Sequence, residues 1–300
     1  MSANHNSNKA LVNVLTIDVE DYFHPNAMTT TVPRADWERL PARVEGSTHL
    51  MLDLLAEHGV RATFFVLGWV AERLPQLVDE IAGRGHEIAC HGYGHRLVSE
   101  LGPELFREDV MRAKAILEDR LGAPVVGFRA ASYSLVRTTP WAIDALIEAG
   151  FEYDSSIFPI HHDIYGYPGF SRFAVRIQRP AGQIVEVPAS TVRAFGRNWP
   201  VAGGGYFRLL PYWMTQRAVE RINTRDAAPA IVYLHPWELD TAQPRLPGPM
   251  TARFRQYTNL RHTRARIDRL LRDFRFAPIR EALSFDGLPV RAFDGAATEP

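Results

Sequence analysis

The residues best suited to chemistry lie in short polar stretches, each following an apolar run. Asp18, Glu20 and Asp21 come directly after the run Leu11 to Ile17. Three acids so close repel one another unless a cation or an arginine compensates them. In an extended segment Asp18 and Glu20 project to one side and Val19 to the other. His91 and His95 are four residues apart, a spacing at which two imidazoles on a helical turn bind one metal. With a carboxylate from Glu20 or Asp21 they would form a two-histidine, one-acid set with open positions, as a catalytic metal requires. Asp18 is then left as a base. His235, in Tyr233-Leu234-His235-Pro236-Trp237, suits a general acid working near neutral pH. Arg129 would be costly at a strand end without an anion, and a pair with Asp18 satisfies both.

The elements that must position these groups are legible in outline. Leu11 to Ile17, Ala62 to Leu67, Glu87 to Cys90, Val125 to Phe128, Phe151 to Tyr153, Ile184 to Val187 and Ile231 to Leu234 read as strands. Helices are expected from Ser47-Thr48 to Gly59, over Leu77–Ala82, over Pro103–Leu121, from Thr139-Pro140 to Gly150, over Pro211–Asn223 and over Thr263–Phe274. Strand and helix in alternation mean parallel strands with right-handed crossovers. A doubly wound sheet and a (β/α) barrel both fit, and the length suits the barrel. The chemical groups then fall at the carboxyl ends of the strands, where parallel α/β folds build their ligand sites. The stretches 156–183 and 240–262 are rich in proline and glycine and read as loops over one face. The polar ends, 1–9 and about 292–300, read as frayed tails.

Composition narrows the function. Lys+Arg and Asp+Glu balance at 34 each, which disfavours a nucleic-acid binder. A single cysteine excludes a disulfide framework and a cysteine-rich zinc site. Cys90 is expected to be buried and inert. The longest apolar stretches are about half a membrane span, so no transmembrane segment is expected. The polar first nine residues lack an apolar signal core, which gives a cytoplasmic expectation.

Taken together, these residues resemble the polysaccharide deacetylases of carbohydrate esterase family 4, the NodB-homology fold, over roughly residues 10–240. Residues 241–300 would then be a C-terminal extension packed on the barrel. The resemblance implies a distorted seven-stranded (β/α) barrel and one divalent metal ion, most often zinc. It implies hydrolysis of a linear amide, the N-acetyl group of an amino sugar in a glycan. It casts Asp18 as base, Glu20, His91 and His95 as metal ligands, Arg129 as the third-motif arginine and His235 as general acid. Asp154 corresponds to the acid that orients that histidine. Ala131 stands where the family has proline, which is expected to loosen the loop offering an oxyanion N–H. Gly92 replaces the usual Ser or Thr between the histidines. Ala131 and Tyr133 are placed beside the substrate, with Tyr206, Phe207, Trp199 and Trp237 as candidate sugar platforms. The stretches Asp18-Val19-Glu20-Asp21-Tyr22-Phe23, Ser155-Ser156-Ile157-Phe158-Pro159-Ile160, Gly203-Gly204-Gly205-Tyr206-Phe207-Arg208 and Tyr233-Leu234-His235-Pro236-Trp237-Glu238 are similar to a bacterial subgroup associated with exosortase and exopolysaccharide biosynthesis.

Two other readings compete. An allantoinase-like hydrolase of cyclic amides on the same fold would open a heterocycle rather than release acetate. An inactive carbohydrate-binding protein is favoured only by Ala131. A glycosidase using Asp18 and Glu20 is poorer, because acids adjacent on one strand cannot flank a glycosidic bond from opposite faces.

Overall fold

The computed structural model of the chain describes residues 11–28, 31–162, 165–201 and 203–293. The tail expected over 1–9 lies outside these residues. Twelve strands are present among them: β1 (Val12–Val19), β2 (Thr63–Val66), β3 (Glu87–Cys90), β4 (Gly127–Phe128), β5 (Tyr153–Asp154), β6 (Val175–Arg179), β7 (Gly182–Glu186), β8 (Thr191–Ala194), β9 (Arg197–Pro200), β10 (Ile231–Leu234), β11 (Arg275–Ala277) and β12 (Val290–Ala292). The helices are α1 (Val44–Glu57), α2 (Gly68–Arg73), α3 (Pro75–Gly83), α4 (Val98–Leu121), α5 (Trp141–Glu148), α6 (Gly204–Leu209), α7 (Tyr212–Arg225), α8 (Met250–Tyr257), α9 (Leu260–Asp273) and α10 (Ile279–Ala282).

The order β10-β1-β2-β3-β4-β5-β7 is parallel throughout. These are the strands expected from the apolar runs, and they form the distorted (β/α) barrel. The seam between β7 and β10 is joined by single bonds rather than a ladder. Ser190 N–H donates to the Ile231 carbonyl (3.4 Å), and Ile231 N–H donates to Ser190 Oγ (2.7 Å).

Period-two alternation divides the two faces. Leu15, Ile17 and Val19 of β1, Phe64 and Val66 of β2 and Cys90 of β3 face outward into the main core beneath the helices. Val14, Phe65 and Ala89 face inward and meet Ile231 and Ile279 at the amino-end floor of the barrel. Above this apolar floor the lumen turns polar at Thr16, Asp18, Arg129 and Ser155. The site is therefore built on a dry, packed base.

Several expectations are corrected. The first strand runs two residues further than Ile17 and so carries Asp18 within it. Val125 is not paired in β4, since its N–H is taken by Glu118 at the end of α4 (2.9 Å). The helix expected from Pro103 begins at Val98 and breaks at Gly102, whose φ of 68° only glycine adopts freely. The proline- and glycine-rich stretch after 156 hides β6, an antiparallel partner of β7. The last residues are not simply a tail: β11 pairs with β1, β12 with β6, and Phe293 is buried.

Candidate metal centre and active site

The end of β1 and the turn after β3 meet at one point. Glu20 Oε1 lies 3.1 Å from His91 Nε2 and 2.9 Å from His95 Nε2, and all three side chains are buried. The His95 contact lacks hydrogen-bond alignment, and neither nitrogen of that ring has a hydrogen-bond partner. His91 Nε2 and Glu20 Oε1 are within hydrogen-bond distance and His95 Nε2 is left without a partner, so the three converging ligand atoms fit a cation between them. His91 Nδ1–H donates to the Arg129 carbonyl (2.8 Å), which turns the Nε2 lone pair towards the same point, as second-shell partners of metal-ligating histidines do. Burial opposes the charge on Glu20, but His95 and His91 outweigh it and hold its carboxyl well below the usual range.

Asp21 is turned away. Its carboxylate accepts N–H groups from Arg43 (2.7 Å), Val44 (2.9 Å) and Tyr22 (2.8 Å) and so holds the start of α1. Of the alternatives left open by the sequence, Glu20 is the acid that faces both histidines.

His91 and His95 lie on an irregular turn, not on a helical one. The turn needs left-handed backbone at Gly92 (φ 70°) and His95 (φ 49°). Asp109 of α4 accepts N–H groups from Tyr93 (2.6 Å) and Gly94 (3.1 Å) within it. A Cβ on residue 92 would lie 2.8 Å from Asp109 Oδ2. Glycine in place of Ser or Thr therefore belongs to this way of holding the histidines.

Arg129 is buried in the lumen and almost fully satisfied. It donates to Asp18 Oδ1 (2.6 Å), Thr16 Oγ1 (2.8 Å), Ser155 Oγ (2.8 Å) and the Ser155 carbonyl (3.1 Å). Burial works against its charge, and Asp18 more than restores it. Asp18 Oδ2 is left facing His235 Nε2 at 3.9 Å.

His235 corrects the reading of Asp154. Its Nδ1–H donates to Glu238 Oε1 (2.6 Å), and the same oxygen accepts the His235 backbone N–H (3.1 Å). Glu238 Oε2 accepts from Arg208 Nε (2.6 Å). Burial opposes protonation of His235, yet Glu238, with Glu20 and Asp18 behind it, raises its pKa to about 9. The orienting acid is thus three residues along the chain, reached through a 3-10 turn over Pro236–Leu239. His-x-x-Glu is a capping-box spacing and could have been found in the sequence. Asp154 is instead bonded to Ser156, and both its pKa and that of Glu186 across β5–β7 are raised, mainly by burial.

The cleft above these groups is lined by Asp18, Glu20, His95, His235, Tyr133 and Trp237, among others. Ala131 lies buried just behind its wall, and Ser132 and Tyr133 face it. The turn 131–133 is not loose. Ser132 and Tyr133 hold left-handed φ of 53° and 54°, and Ala130 N–H is anchored on Ser156 Oγ (2.7 Å). Tyr133 Oη and Trp237 Nε1 are buried with no hydrogen-bond partner among the described residues. Both therefore remain available to a ligand. Trp237 also stacks on His235 (5.2 Å, 25°). Phe207 is only 1% exposed and packs in the core, so it is no sugar platform. Tyr206 lines an adjoining part of the cleft, whereas Trp199 is 51% exposed and lines neither part. Cys90 is buried and its thiol is pushed up to about 12, mainly by burial. In the basic run of α9, Arg264, Arg269 and Arg272 pair with Glu57, Asp273 and Asp268, and Arg266 donates to backbone carbonyls of 207, 208 and 210. Asp163, grouped with His161 and His162 in the sequence, lies outside the described residues.

Residues 37–153 match the family model "Polysaccharide deacetylase". The chain carries a polysaccharide deacetylase domain. The model spans His91, His95 and Arg129, and it ends just before Asp154. Residues 155–284 match a second model, a domain of unknown function (DUF3473), and Arg208, His235 and Glu238 lie within it. A Bacillus cereus peptidoglycan-N-acetylglucosamine deacetylase is 37% identical over 75 residues, 25% of this chain and 27% of its own. A Sinorhizobium fredii chitooligosaccharide deacetylase is 38% identical over 79 residues, 26% and 36% of the two chains. A Gibberella zeae peptidoglycan deacetylase-like protein is 30% identical over 155 residues, 47% and 45%. The matches thus span less than half the length of these relatives. The fold is shared with a Mycobacterium smegmatis crystal structure described as a polysaccharide deacetylase (TM-score 0.61, 22% identity, covering 100% of this chain and 97% of that one).

Proposed function

We propose that the chain hydrolyses N-acetyl groups of amino sugars in a glycan, in bacterial exopolysaccharide biosynthesis. The observation that carries this reading is the convergence of Asp18, Glu20, His91, His95 and His235 at one end of the barrel. The deacetylase match and the named relatives support the substrate class. Similarity of the quoted stretches to the exopolysaccharide subgroup supports the setting.

Glu20, His91 and His95 would hold one divalent cation, and two imidazoles with one carboxylate suit zinc. When bound, that ion supplies Lewis-acid polarisation of the amide and acidification of water. Asp18 Oδ2 takes a proton from the attacking water, while Arg129 fixes its other oxygen. As the water oxygen adds to the acetyl carbon, a backbone N–H near Ala131 faces the developing oxyanion. His235 Nε2 gives its proton to the sugar nitrogen as the C–N bond breaks, leaving acetate and a free amine. Glu238 keeps the imidazole in the tautomer and orientation this requires. Tyr133 Oη and Trp237 Nε1 are the unpaired donors that hold the sugar.

Metal content and acetate release test the reading together. About one zinc per chain is expected in the wild type and none in a His91→Ala, His95→Ala double variant. Acetate should appear from N-acetylglucosamine oligomers with the wild type only. No metal after zinc loading, or ring opening of a cyclic ureide in place of acetate release, overturns it.

A further inference from the structure

The cleft does not end at the acetamide site. It continues past Trp237 and Tyr233 into a second lobe of about 900 Å³ between α6 and α8. Both lobes are lined by Arg255, His162, Tyr165 and Trp237. The second lobe carries Arg208 and Arg255 and, among the described residues, no carboxylate lines it. Arg208 is neutralised by Glu238. Arg255 is exposed and makes no ion pair among the described residues, unlike most arginines of the neighbouring α9.

Arg255 is nevertheless not on a loose segment. The Arg208 guanidinium donates to the backbone carbonyls of Arg255 (2.8 Å), Gln256 (3.1 Å) and Thr258 (2.9 Å). Gln256 is bonded to the Tyr22 carbonyl (3.0 Å). The end of α8 is thereby fixed to Glu238, and through it to His235. Beside it, His162 stacks on Tyr165 (3.7 Å, 11°), giving a flat aromatic wall. A guanidinium on a rigid helix with no ion pair among the described residues, in a lobe that no described carboxylate lines and that adjoins the reaction site, is suited to an anion.

We propose that this lobe binds an anionic group on the sugar next to the one being deacetylated, with Arg255 as the residue that recognises it. The substrate is then an acidic glycan. The shared chemistry is a carboxylate or a phosphate oxygen pair facing the guanidinium, from a uronic acid or from a sugar phosphate. The inference rests on the deacetylase reading for its glycan.

Isothermal titration calorimetry on the zinc-loaded chain tests it with three probes. They are a disaccharide of N-acetylglucosamine and glucuronic acid, N-acetylglucosamine 1-phosphate, and neutral di-N-acetylchitobiose. Wild type should bind one acidic probe ~10–100-fold more tightly than the neutral one, the range for a charged hydrogen bond. The preferred acidic probe identifies the source of the anion. Arg255→Met should remove the preference, Arg255→Lys should keep part of it, and added salt should weaken it. Because Arg255 is exposed, neither substitution threatens the fold. Equal affinities for acidic and neutral probes, a preference that survives Arg255→Met, or no binding of any probe would overturn the proposal. Acetate release, measured separately, tests the underlying reading: an acidic preference without acetate would leave the anion site standing and remove the deacetylase. Acetate release without an acidic preference would do the reverse.

Discussion

At the scale of residues, the groups proposed as proton acceptor and proton donor are each held by a different partner. Asp18 is held by Arg129 and His235 by Glu238, and the two face each other across 3.9 Å. His235 must be protonated to serve as the acid. Its pKa, raised to about 9 in the folded chain, places the fall in activity on the alkaline side. Glu238→Gln removes the negative charge of the partner that does most to raise it, so the basic limb of the kcat profile should move to lower pH. His235→Gln should lower kcat by about 10²–10⁴-fold, as for other proton-transfer groups. An unchanged basic limb in Glu238→Gln would sink the assigned role of Glu238. The same substitution leaves Arg208 buried without its anion, and a melting curve reads that loss separately.

At the scale of elements, strand ends supply the chemistry and strand pairing tunes it. Asp154 and Glu186 are register partners across β5 and β7, and both are buried. Burial lifts Asp154 from 3.8 to about 6 and lifts Glu186 well above its ordinary value. The folded chain therefore holds protons that the unfolded chain releases near pH 4. This contribution favours folding at acid pH and is lost as pH rises through about 6. Glu186→Gln should flatten the decline of melting temperature between pH 5 and 8. It should also raise stability at pH 8. A wild-type stability that rises steadily over that range would contradict the account. What was legible in the sequence follows from the same geometry. Apolar runs with sharp polar ends reported the barrel strands, along with Glu20, His91, His95, Arg129 and His235. Glu238 was overlooked because the orienting acid was sought on another strand, although the capping spacing was in plain view. Strand β6 and the hairpin β8–β9 are hidden in the sequence because glycine and proline frame them as loops. β11 and β12 have only three residues each and are not legible as strands, since their pairing is set by partners far away in the chain. Phe207 was misplaced because aromatic type does not say which way a side chain points.

At the scale of the whole molecule, the C-terminal segment completes the barrel. β11 extends the sheet beside β1, Ile279 N–H donates to Thr63 Oγ1 (2.8 Å) at the floor, and β12 pairs with β6. No helix among the described residues is long and apolar enough to cross a membrane. Ending the chain after Phe274 would remove the buried Phe276, Ile279 and Phe293. Each such side chain is worth about 1.5–3 kcal/mol, together on the order of a domain's whole net stability. The shortened chain should show no cooperative melting transition. A soluble product melting near the wild-type temperature would show that the segment is dispensable. The position of β1 has one more consequence, for synthesis. Its neighbour β2 follows early, but Thr16 meets Val232 only across a separation of 216 residues. At typical translation rates one edge of the central apolar strand waits roughly 10–40 s for its partner. During that interval the nascent chain presents an open strand beside the ribosome, which makes it a natural client for chaperones that shield such edges until β10, and His235 directly after it, have been made.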